Sequence, residues 1–281
     1  MAASETRWLD LPAQPRVVFD RTPLALAICQ VRFPVMLNVS SPGTVAPFQA
    51  AIEDDYPVGT PMAQLGMAFS IQAGQLAGMQ SQAPSALWRF ADVGDDWAVV
   101  LSPDFISLET RAYVDFDDFQ DRLEKVLGAL VAAIRPRIYT RVGLRYINEL
   151  RPGHREWASV VRSELLGPMA VPVLAASAAR WTQQILLHGP DGDRLHIQHG
   201  VVPGGSTVDP RPGDDPPGEE PFYLLDLDAF HEFARPGLPE LSPLDVCERV
   251  RSAHEAISRF FRWTITEPFA TTLGVRDDAS N

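Results

Sequence analysis

The stretch RVGLRYINEL, residues 141–150, holds a dense set of side chains able to do chemistry. With a two-residue period, Val142, Leu144, Tyr146, Asn148 and Leu150 point one way, and Arg141, Gly143, Arg145, Ile147 and Glu149 the other. One face is core-like and the other carries charge. The planar fork of Arg145 suits two parallel hydrogen bonds to a carboxylate or phosphate. A second acidic pair, Asp226 and Asp228, falls on one face of PFYLLDLDAF, residues 221–230. Arg141, Arg145, Asn148, Glu149, Asp226 and Asp228 are therefore the candidate binding residues. The competing reading is an ion-pair ladder in which the arginines hold protein carboxylates, because charges are seldom buried unpaired.

Other chemistries find less support. All six histidines, His154, His188, His196, His199, His231 and His254, lie in the second half and invite a metal reading. His196 and His199 are three apart on an expected strand, so the pleat sends them to opposite faces. No metal and no cofactor is expected. GxSxG, HExxH and CxxC are absent, and GGS at 204–206 opens no helix, so neither an activated nucleophile nor a phosphate loop is signalled. No catalytic residue is assigned. RPRIYTRVGLRY, residues 135–146, interleaves arginine with tyrosine, a single-strand nucleic-acid pattern, with Arg137, Tyr139, Arg141 and Arg145 on one face.

The net charge of -12 opposes nucleic acid and anionic lipid unless a local patch overrides it. All but Lys125 of the 24 basic residues are arginine, a usage given no functional weight. The two cysteines, Cys29 and Cys247, sit within apolar patterns and read as buried small hydrophobes. MAASETRWLDLPAQ lacks a basic and an apolar region, and no run of 18 apolar residues occurs, so a cytoplasmic protein without a membrane partner is expected.

The elements that must position these residues follow from periodicity. PLALAICQVRF (23–33) reads as a strand and TVAPFQAAIEDDYP (44–57) as a short helix with Thr44 as its cap. Strands at 67–72, 86–92, 97–102 and 105–113 form a meander, and 115–134 is a strongly amphipathic helix. After the strand at 141–150, a helix is expected over 154–167, then a hairpin of 179–189 with 193–203, a strand at 221–230 and a long helix over 242–266. Residues 204–220, rich in Pro, Gly and acid, read as an exposed, mobile loop.

Both halves share the order strand, helix, antiparallel strands, long helix. The expectation is an α+β protein with two-layer, duplicated units. It comprises a lead (1–22), a first repeat (23–136), a second repeat (137–267) and a tail (268–281). Each half is similar in order to a TATA-binding-protein-like or helix-grip unit, an analogy of fold only. Through PLALAICQVRF, the helix ending in DDYP, FISLETRAYVDFDDF, RVGLRYINEL, LLDLDAF and AHEAISRFFRWTIT, the chain resembles a sporadically distributed TIGR-type family of bacterial proteins of uncharacterised function. RxGLRYIN is the most specific match, while the acidic 204–220 insert and the EPFATTLGV ending depart from the pattern. The resemblance supplies no catalytic residues, and its patchy distribution implies an accessory role such as defence or toxin–antitoxin systems. The leading expectation is a non-enzymatic binding protein with a protein partner, in which nucleic acid is disfavoured by charge. The alternatives are a small-ligand binder or hydrolase with a site between the halves, and nucleic-acid binding along the Arg137–Arg145 face.

Overall fold

The computed structural model of the protein describes residue 11 and residues 18–63, 86–210 and 218–276. The strand expected at 67–72 and the middle of the acidic segment, 211–217, lie outside the described residues. The chain is a mixed α+β protein with a large antiparallel sheet and several helices. In chain order the elements are β1 (Val18–Phe19), β2 (Leu24–Arg32), α1 (Pro42–Ile52), β3 (Val58–Ala63), β4 (Ala86–Ala91), β5 (Trp97–Ser102), β6 (Phe105–Thr110) and α2 (Phe116–Ala133). They continue with β7 (Arg141–Leu150), α3 (Ser163–Leu166), α4 (Pro172–Ser177), β8 (Trp181–His188), β9 (Asp193–Val202), β10 (Phe222–Glu232), α5 (Pro243–Thr264), α6 (Glu267–Leu273) and β11 (Val275–Arg276). No helix among the described residues is long and apolar enough to cross a membrane.

The described residues fall into two compact units, one drawn from 29–142 and 233–247, the other from 1–28, 143–232 and 248–281. In the first, β3, β4, β5 and β6 pair in sequence order as an antiparallel meander. Strand β3 is an addition to the expected elements: VGTPMA is too short and too rich in Gly and Pro to show a period. Helix α1 begins at Pro42 after Ser41, three residues ahead of where a Thr44 cap would start it, since proline fits the first helical position, whose N–H needs no helical partner. Its Val45, Phe48 and Ile52 are buried, and Phe48 meets Phe90 of β4 at 5.7 Å. Asp115 caps α2 by accepting from the Asp118 N–H at 2.8 Å, and Phe119 packs on Trp97 of β5 at 5.9 Å.

In the second unit β7, β10, β9 and β8 lie in that order, with β9 antiparallel to both β10 and β8. The β8–β9 turn at 190–192 puts Asp191 at φ 55° and Gly192 at φ 91°, the left-handed conformation that Asp and Gly tolerate best. Gly200 is required by close approach: a Cβ there would lie 2.0 Å from the Trp181 carbonyl oxygen.

Two expectations are corrected in this unit. Residues 154–167 do not form one helix; short turns at Trp157–Ser159 and Ser163–Leu166 replace it. The backbone between them pairs with 264–266 instead: Val161 bridges Ile265, the Arg162 N–H donates to Thr264 O, and the Thr266 N–H donates to Val160 O. That pairing buries Trp157, Val160 and Val161 with Leu150, Tyr223 and Phe269 in one apolar cluster. The segment from 267 onward carries α6, where Thr266 accepts from the Phe269 N–H at 3.3 Å and Pro268 occupies the first turn. The chain then returns to pair Val275 with Phe19.

Candidate functional site around the end of β7

Strand β7 has the alternation that its sequence implies. Val142, Leu144, Tyr146, Asn148 and Leu150 are all buried, whereas Arg141, Arg145 and Glu149 are partly exposed. On the buried face the Tyr146 hydroxyl is 3.1 Å from His254 Nδ1 on α5. Asn148 donates its amide to the Leu225 carbonyl at 3.0 Å, a buried bond between β7 and β10 that fixes their register. Asn148 is thus a structural residue here and presents no donor to a ligand through that hydrogen.

On the other face Arg145 grips Asp226 of β10 with Nε at 2.8 Å and Nη2 at 2.6 Å. Asp226 is nearly closed to solvent, at 7% side-chain exposure, so its charge needs this fork. Burial opposes the Arg145 charge, but the Asp226 hydrogen bonds and the charges of Asp226 and Asp228 outweigh it and hold the guanidinium above its ordinary range. Asp228 lies two residues along β10, opposite His196 in the β9 register. Arg141, at the start of β7, belongs to the other compact unit; there it offsets the effect of burial and of Cys247 on Cys29, whose thiol is pushed well above its usual range. Both cysteines are buried free thiols.

Glu149 heads a different cluster. One carboxylate oxygen accepts from Arg151 Nε at 2.9 Å and Nη2 at 2.6 Å. The other accepts from the Thr207 hydroxyl and the Val208 N–H, each at 2.7 Å. Arg151 also donates to Ser206 O at 2.9 Å and lies over the Phe222 ring, 4.2 Å from its centroid. The first residues of the acidic segment are consequently tied to the strand end, contrary to a freely mobile reading of that part. At Gly204 a Cβ would fall 1.7 Å from Glu219 O, so glycine is what lets the chain on the two sides of this segment approach so closely.

Beyond β7 the Pro152–Gly153 break, with Gly153 at φ 77°, redirects the chain and opens a cleft of about 550 Å³ within the same unit. Its polar lining includes Arg21, Glu149, Arg151, His154, Glu156 and Ser159, and Pro23, Phe269 and Leu273 are among its apolar residues. His154 Nδ1 accepts from the Glu156 N–H at 3.1 Å, so the neutral ring carries its proton on Nε2. Ser159 donates to Glu156 O, and Arg21 donates to Thr272 O.

Of the six residues singled out by sequence, Glu149 alone lines this cleft; Arg145 and Asp226 come together with each other, and Asn148 faces the sheet. Arg21, Arg151, His154 and Glu156 lay outside the sequence-based set. The signal for three of them was the RPGHRE break straight after the charged strand, where loops commonly carry binding groups. Arg21 had no such signal. Among the described residues no three His, Cys, Asp or Glu side chains converge to hold a metal ion. No protein-family model and no curated protein matches the chain.

Proposed function

We propose that the chain is a cytoplasmic binding protein that takes a small molecule bearing a carboxylate or phosphate in the cleft at the end of β7. The observation that carries this reading is the state of Glu149: both of its oxygens are occupied by Arg151, Thr207 and Val208. Its charge anchors Arg151, and the groups left to meet a ligand are mainly donors: the Arg21 and Arg151 guanidinium edges and His154 Nε2. Pro23, Phe269 and Leu273 offer an apolar wall for a hydrocarbon part, the usual make-up of a small-molecule site. The internal duplication belongs to the same reading and rests on the recurrence of antiparallel strands and a long helix. Isothermal titration of the wild type and Arg21→Ala with small carboxylates and phosphate monoesters tests it. Saturable binding weakened at least about tenfold in the variant is expected; equal affinity in the two proteins, or no binding by either ligand class, contradicts it.

A protein partner is favoured by a separate feature. From Gly167 to Pro190 the sequence carries one charged residue, Arg180, and Val171, Val173, Leu174 and Leu186 within it are exposed.

A further inference from the structure

Strand β8, WTQQILLH, is the last strand in its unit, and among the described residues its one strand neighbour is β9. Such an edge presents a row of backbone donors and acceptors that can pair with another chain, and edge strands are ordinarily guarded by charge, proline, bulges or short length. Strand β3, outermost in the other unit among the described residues, has that guard: six residues with Pro61 among them. Strand β8 has none, being eight residues long with no charge and no proline. Thr182, Gln183, Gln184, Leu186 and His188 are exposed, with Leu186 at 49%. Residues 167–179 just before it are also uncharged, and Gly167 lies beside the strand, where a Cβ would be 3.8 Å from both Gln183 and Trp181.

The charges at the two ends of the strand identify the occupant. Arg180 precedes β8 and is exposed, while Asp191, in the turn that follows, is exposed and acidic. Two copies of the strand laid antiparallel about a twofold axis near its middle bring Arg180 of each copy beside Asp191 of the other. A parallel, in-register arrangement would set like charges together. In a chain of net charge -12, an uncharged edge closed at each end by a cation and an anion is where two copies meet with least repulsion.

We infer that the protein forms a twofold homodimer by antiparallel pairing of β8 with β8 of a second copy. The paired edges satisfy each other's backbone groups. This inference is independent of the cleft.

Sedimentation velocity of the full chain over a range of concentrations tests it, with Leu186→Lys, Arg180→Asp and the Arg180→Asp/Asp191→Asn pair alongside. All three sites are exposed, and asparagine keeps the left-handed conformation of residue 191, so unchanged circular dichroism melting controls for folding. A wild-type dimer is expected, weakened at least about tenfold by Leu186→Lys and by Arg180→Asp. The double variant recovers part of what Arg180→Asp loses, because the acid–acid contact is relieved. A wild type that stays monomeric overturns the inference. So does a dimer indifferent to Leu186→Lys, or a double variant no tighter than Arg180→Asp alone.

Discussion

Asp226 is a carboxylate with almost no access to water, and the bidentate fork of Arg145 is what makes its burial tolerable. Arg145→Ala leaves that charge in place without the fork, and a loss of about 3 kcal/mol is expected in urea denaturation at neutral pH. Arg145→Lys recovers part of it, since an ammonium supplies the charge without the paired geometry. His199 makes a second prediction. It is fully buried on β9, with Nδ1 2.7 Å from the Tyr223 hydroxyl, Trp181 edge-on to the ring and Nε2 lacking a hydrogen-bond partner. Burial pushes its pKa down to about 4, so the folded chain holds it neutral. The unfolded chain then takes up the proton first, and the stabilisation is complete above the ordinary histidine value and is lost as pH falls toward about 4. Between pH 7 and 5 the wild type should lose about 2 kcal/mol more than His199→Gln in parallel denaturation series. Equal slopes would contradict a neutral buried ring. The alternation of RVGLRYINEL made Arg145 and Glu149 visible as the charged face. Their partners were not visible, because pairing to Asp226 and to Thr207 depends on strand order and on how a loop closes, neither of which has a local period.

Elements were legible where one face is continuously buried. Helix α2, with Phe119, Leu123, Val126, Leu127 and Leu130 buried at helical spacing, and the β8–β9 hairpin both follow the sequence reading. Residues 154–167 misled because Trp157, Val160 and Val161 satisfy a helical spacing, yet the turn at Trp157 ends at once and the Val160 carbonyl and Arg162 N–H bond to 264–266. Helix α6 was missed because seven residues give too little periodicity to read. Two substitutions test the local accounts. Asp115→Ala removes the side-chain acceptor at the start of α2 and should lower stability by about 1 kcal/mol. Gly200→Ala must push a Cβ into the β8 backbone while holding φ at 145°, so β8 should separate from β9, seen as fast amide exchange along 181–188 with the meander strands protected. Protection of 181–188 equal to the wild type would show that the close approach at Trp181 is not what requires glycine.

At the scale of the molecule, an acidic chain gathers donors in one place. The net charge is -12, yet the cleft beyond β7 is lined by two arginines and a histidine, and Glu149 there is fully engaged within the protein. Of the two carboxylates in the lining, Glu149 has both oxygens taken within the protein, which leaves Glu156 alone set against the donors of Arg21, Arg151 and His154. That imbalance is the ground for an anion-bearing ligand. The most direct measurement is a titration of the isotope-labelled protein with phosphate monoesters and small carboxylates, followed by backbone amide NMR. The account predicts saturable shifts confined to 21–23, 149–159 and 268–273, and their loss in Arg21→Ala with the remaining spectrum unchanged. Shifts that never saturate, or that spread over arginines outside the cleft such as Arg89 and Arg194, would contradict it.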